Sequence, residues 1–153
     1  AAHPQISTRS VDTSDFTIAA GYAAAVAVLE SGTRPDAIVA ANDLIGIGAI
    51  RAAEDLGLTV PGDIAVTGID NTELAGVVRP GLTSVDLGAE ERGRVAAELL
   101  LARISEPTRA AHTVTVAPSL VTRGSSRTLG PRRDSSLRDT ETEDPSHDGR
   151  AAG

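Results

Sequence analysis

Two pairs of residues carry the chemistry that this sequence offers. Asn42-Asp43 interrupts the apolar run AIVAANDLIGIGAI, and Asp70-Asn71 ends the apolar run IAVTGI. An amide beside a carboxylate presents hydrogen-bond donors and acceptors together, and a carboxylate accepting from a neutral hydroxyl contributes about 1.5 to 3 kcal/mol. Sugars and nucleosides need such partners. A plainer role is open to the first pair: Asn42 as a helix N-cap and Asp43 as a first-turn acid favoured by the helix dipole, together worth about 1 to 2 kcal/mol. One junction does not decide between the two roles. Two apolar runs that both end in such a pair imply a shared polar rim.

Other chemistries find no support. His3, His112 and His147 are far apart and the chain has no cysteine, so neither a metal centre nor a Ser-His-Asp arrangement is suggested. There is no Gly-x-Ser-x-Gly and no phosphate-binding Walker loop. Gly46-Ile47-Gly48 lacks a third glycine at the required spacing and falls inside a helical pattern, not at a strand-to-helix turn. Asp63 and Asp70 have no separation that sequence can define, so a glycosidase pair is not indicated. The expectation is a binding protein, with no catalytic residue, metal or cofactor.

The elements that must position the two pairs alternate. Thr17 can cap a helix over 17–31 that carries Ile18, Tyr22, Val26 and Leu29 on one face. Ala37 to Ala40 reads as a strand covered on both faces, and Asn42 opens a second helix that ends at Gly57. Ile64 to Ile69 reads as a second buried strand. A helical turn over 72–77, an extended stretch over 82–85, a long amphipathic helix over 89–105, and extended pieces over 113–116 and 120–122 follow. Such alternation predicts an α/β fold with a doubly wound parallel sheet, in which ligands bind beyond the carboxyl ends of the strands. Both polar pairs lie at those ends.

Composition sets the limits. The chain has 153 residues, 41% of them hydrophobic, enough for one domain that buries roughly two-thirds of its unfolded surface. Its core must be aliphatic, since it holds one Phe, one Tyr and no Met or Trp. The net charge of −7 makes it a poor nucleic-acid ligand by itself. No stretch nears the roughly 18 apolar residues of a membrane span, and the N-terminus has no signal-peptide pattern, so a cytoplasmic location is expected. The chain begins with Ala and is expected to be a fragment. From Gly124 onward it is polar and rich in Ser, Arg, Asp and Gly, which predicts a body over 1–123 and a disordered tail over 124–153.

RPDAIVAANDLIGIGA (34–49), GLTVPGDIAVTGIDNT (57–72) and PGLTSV (80–85), with LVTRGS (120–125) closing the body, resemble the lactose/galactose repressor (LacI/GalR) family of bacterial transcription regulators. The resemblance runs from about Asp15 to Ser125. It implies a partial effector-sensing domain of periplasmic-binding-protein-like fold, the second of two subdomains that close around a sugar or similar metabolite. Asp70 then matches the family's ligand-binding acid, Asn42 and Asp43 its rim pair, and Phe16 an aromatic that packs on the ligand ring. Phe16 also suits a hydrophobic staple before Thr17. Ile47 and Val78 match the family's dimer surface, with ordinary core as the alternative. Ile69 and Val78 stand where the family often has aromatic residues, which leaves the ligand class open. The resemblance further implies a homodimer in the complete protein and DNA binding through a helix-turn-helix absent from this chain. A periplasmic solute receptor of the same fold and a truncated remnant are the competing readings. The helix over 89–105 should leave Val95 and Leu99 to Leu101 without a partner.

Overall fold

A computed structural model describes residues 6–126 of the chain. The elements are α1 (Ile18–Leu29), β1 (Ala37–Val39), α2 (Asp43–Asp55), β2 (Ala65–Ile69), α3 (Glu73–Val77), β3 (Thr83–Asp86), α4 (Ala89–Ser105) and β4 (Ser119–Val121), closed by a 3-10 turn over Gly124–Ser126. Local chemistry sets the boundaries. The Thr17 side chain accepts from Ala20 N at 3.2 Å and that of Asn42 from Ile45 N at 2.9 Å. At the other end of α2, Gly57 (φ 74°) lets its own N–H reach Glu54 O while Leu58 N–H reaches Ala53 O, a Schellman closure.

The sheet order is β1-β2-β3-β4. The first three strands are parallel, but β4 pairs antiparallel with β3, because the chain returns from α4 and joins the edge from the opposite direction. The sheet is therefore mixed. Thr113 to Val116, expected to be extended, joins no strand ladder. The body also extends past 123: the Ser125 hydroxyl, fully buried, donates to Val66 O at 2.6 Å and accepts from Thr83 N at 2.9 Å. Hydrogen bonding thus outweighs the polar composition of Gly124–Ser126, while the tail from 127, His3 and His147 lie outside the described residues.

The core lies between the sheet and the α1–α2 layer, built from Ala25, Ile47, Ala49, Ile50, Ala52, Val66, Ala75 and Leu82. Ile47 is 4% exposed, so it is core and cannot serve a dimer surface; Val78 is half-buried against the same cluster. The opposite sheet face is open among the described residues. Val39 is 80% exposed, which corrects the expectation that β1 is covered on both sides. Helix α4 buries none of its residues, and Leu100, Leu101 and Ile104 stand exposed.

The two helices cross through glycines. A Cβ on Gly48 would lie 2.3 Å from Ile18 O, and one on Gly21 2.5 Å from Ile45 O, so only hydrogen fits on either side. This contact holds the first turns of α1 and α2 together. Gly48→Ala must push the helices apart and is expected to cost about 1 to 3 kcal/mol. Gly93→Ala, in an open part of α4, should stabilise by up to about 1 kcal/mol through helix propensity. Urea unfolding of both variants checks the contrast.

Candidate functional site

The carboxyl ends of β1 and β2 lie side by side, since Val39 pairs with Thr67 and Ala40 N donates to Thr67 O at 2.8 Å. Asn42-Asp43 and Asp70-Asn71 therefore share one rim, as the sequence suggested. The four side chains divide into two groups.

Asp43 points inward and is 1% exposed. Its Oδ2 accepts from Thr72 N at 2.6 Å and Thr72 Oγ1 at 2.9 Å, and its Oδ1 accepts from Ser84 Oγ at 2.5 Å. Both oxygens are engaged within the protein. Asp43 is therefore a structural clamp, which corrects its assignment as a ligand-binding residue: its lone pairs hold β1–α2, the β2–α3 loop and β3 together. Gly68 makes room for it, because a Cβ there would meet Asp43 Oδ1 at 2.5 Å.

Asp70 points outward. Its backbone has φ 103°, outside the regions where a residue with a side chain rests easily, and Asn71 follows at φ 50°. Three successive amides hold this conformation: Asp70 N donates to Val85 O (2.9 Å), Asn71 N to Ser84 Oγ (2.9 Å) and Thr72 N to Asp43 Oδ2 (2.6 Å). All three N–H groups are used internally, so this loop offers no anion-binding nest. What it offers is the exposed Asp70 carboxylate, which has no hydrogen bond of its own among the described residues. Asn42 is half-buried, and its Oδ1 is held by the cap, which leaves its Nδ2 group as a donor to the rim.

Phe16 is 64% exposed and its N–H donates to Asp15 Oδ1. The fourth helical position after Thr17 is Gly21, which has no side chain for a staple, so that role is excluded. Phe16 immediately precedes the cap of α1, whose N-terminal part packs against α2 through Gly21 and Gly48. Among the described residues no group of three His, Asp or Glu side chains is arranged to hold a metal.

The supporting network was not legible as a site. Asn71 Nδ2 donates to Asp86 Oδ2 at 3.0 Å, and Asn71 Oδ1 accepts from Arg123 Nη2 at 2.6 Å. Asp86 Oδ1 in turn accepts from Gly88 N at 2.7 Å. These two hydrogen bonds, Gly88's first, hold the Asp86 carboxyl below its ordinary value of 3.8. One signal was available: Thr83 and Ser84 are hydroxyls within a strand whose neighbours are apolar, and buried hydroxyls need partners.

Fold and rim together define an open α/β domain with polar side chains gathered at the strand ends. The chain belongs to the periplasmic binding protein-like domain family, which it matches over residues 1–126. It is 40% identical over 120 residues to the HTH-type transcriptional repressor PurR of Pectobacterium atrosepticum, covering 78% of this chain and 35% of that protein. Its fold is similar to that of a LacI-family transcriptional regulator from Sanguibacter keddieii, with TM-score 0.70, 32% identity, and coverage of 75% of this chain and 43% of that one. It is also similar to the transcriptional regulator CelR in complex with cellobiose, with TM-score 0.68, 37% identity, and coverage of 73% and 34%. The chain spans about a third of the length of the curated relatives it matches. These relatives are regulators, not enzymes, and the resemblance to the LacI/GalR family stands. No helix among the described residues is long and apolar enough to cross a membrane.

Two substitutions separate the clamp from the rim. Asp43→Ala strands the Thr72 and Ser84 donors in a buried site and should destabilise by about 3 kcal/mol or more. Asp70→Gly removes the positive-φ strain and should stabilise by about 1 kcal/mol. Chemical denaturation measures both signs. Because the Asp86 carboxyl is depressed, its hydrogen bonds contribute fully above its ordinary value of 3.8 and fade as pH falls below that. Asp86→Ala should therefore narrow the loss of stability between neutral and acid pH, read as urea midpoints at both.

Proposed function

We propose that this chain is part of the effector-sensing domain of a LacI-type transcriptional repressor and that Asp70, Asn42 and Phe16 contact a sugar or related hydroxylated metabolite. The observation that carries this is Asp70: an exposed carboxylate at a strand end, held at φ 103° by three internal hydrogen bonds and without a hydrogen bond of its own among the described residues. Backbone strain of this kind, over-determined by its surroundings, clusters at ligand sites. Asp70 accepts from a ligand hydroxyl, Asn42 Nδ2 donates to a neighbouring oxygen, and the Phe16 ring covers an apolar sugar face. The cellobiose bound to CelR is a ligand of that chemistry. The opposing wall of the cleft comes from parts of the protein outside this chain.

In the complete protein, ligand-driven closure biases a DNA-binding region, and the site of action is the cytoplasm. A homodimer is part of this reading. Its contact surface uses the exposed Leu74 and Val77 of α3, since Ile47 and Val78 face the core.

The test is calorimetry on the complete gene product carrying this chain, with cellobiose, lactose and D-ribose as probes. Asp70→Asn is expected to weaken binding of the responsive sugar by about 10- to 150-fold, the equivalent of one carboxylate hydrogen bond. Unchanged affinity removes Asp70 from the site. On the same protein, Val77→Glu should shift sedimentation from dimer toward monomer while leaving the thermal midpoint of the fold nearly unchanged, because Val77 is exposed.

A further inference from the structure

Helix α4 and the stretch over 106–118 stand outside the packed body, and the chain passes between the two at only two places. It leaves through Asp86–Gly88 and returns through β4 to Arg123. Gly88 is the N-cap of α4, in the left-handed region at φ 66°, and its carbonyl accepts Arg92 N at 2.9 Å. Its N–H is held by Asp86 Oδ1. Arg123 is fixed by Nη1 to Leu82 O at 2.8 Å and by its own N–H to Thr83 Oγ1 at 2.8 Å.

Among the described residues, one side chain is hydrogen-bonded to both passages. Asn71 gives its Nδ2 to Asp86 and takes the Arg123 guanidinium on its Oδ1. It is also the residue after Asp70, and both have positive φ. The peptide between them is held by adjoining strained residues, so a rotation at Asp70 carries the Asn71 amide fork with it.

We propose that the Asn71 side chain couples the Asp70 rim to both connections of α4, so that engagement of Asp70 is felt at Gly88 and at Arg123. The identity of what engages Asp70 rests on the sensor reading above; the coupling rests on the geometry. Asn71 is a positioning residue and contacts no ligand. Its two arms act separately, the Nδ2 arm on the start of α4 and the Oδ1 arm on the end of β4.

The experiment needs no ligand. Amide hydrogen exchange on the full chain compares wild type, Asp70→Gly, Asn71→Ala and the double variant, read at Gly88 and Arg123. Asp70→Gly is expected to change both exchange rates by about threefold or more, and by less than about 1.5-fold once Asn71 is Ala. Equal responses in the two backgrounds overturn the proposal, and so does an absent response in the first. Asn71→Asp separates the arms: it keeps an acceptor for Arg123 and sets a second carboxylate against Asp86, so the response should survive at Arg123 and vanish at Gly88. If Asn71→Ala does not fold, Asp86→Ala leaves Asn71 in place and should silence Gly88 alone. Should no sugar bind in an Asp70-dependent way, the sensor reading fails while this exchange cycle still stands or falls by itself.

Discussion

A carboxylate removed from water must have its lone pairs met by donors, and in this fold that requirement falls on Asp43. Its partners come from the loop after β2 and from β3, while its own backbone begins α2. One side chain thus ties three consecutive segments together at their functional end. Asp70 depends on it: the amide of Thr72 is held by Asp43, that of Asn71 by Ser84, and Ser84 by Asp43 again. Without these bonds the β2–α3 loop would relax to ordinary backbone angles and the Asp70 carboxylate would leave the rim. The strain at Asp70 is small beside the cost of leaving a buried acid and its donors unmatched.

Much of this was legible from residue types. The capping residues Thr17 and Asn42, the glycine closure at Gly57 and the helix–strand alternation all follow local rules, and apart from the stretch over 113–116 the elements form within a residue or two of where those rules put them. The placement of both polar pairs at strand ends was legible for the same reason. The direction of the Asp43 side chain was not, because its burial depends on Thr72 and Ser84, which lie 29 and 41 residues away. Ile47 was misplaced because a helix packed against both a sheet and a second helix has two apolar faces, and periodicity alone does not say which faces outward. The antiparallel direction of β4 and the anchoring of Ser125 depend on long-range pairing that no local pattern encodes.

The molecule is well packed on one side only. Between the sheet and α1–α2 the helices approach so closely that Gly21 and Gly48 admit no side chain, whereas Val39, Leu120 and the whole of α4 leave apolar surface exposed. Among the described residues, close packing is therefore confined to the α1–α2 side of the sheet. This agrees with a chain that spans about a third of its relatives' length. Arg94, ion-paired with Glu91 and Glu98 on α4, supports that helix where packing does not, although exposed pairs contribute little each.

The anchoring of Ser125 bears on the order in which the chain can assemble. Three parallel strands with their helices are complete by Asp86, and each pairs with its neighbour in sequence. The fourth strand arrives only after α4 and its return, and its lock is a hydroxyl that reaches back across 59 residues to Val66 and 42 to Thr83. A chain emerging from the ribosome can thus collapse around α1, α2 and the first strands while the amide of Thr83, the carbonyl of Val66 and the edge of β3 still lack partners. Until β4 and Ser125 emerge, that nascent edge is open to pairing with another chain.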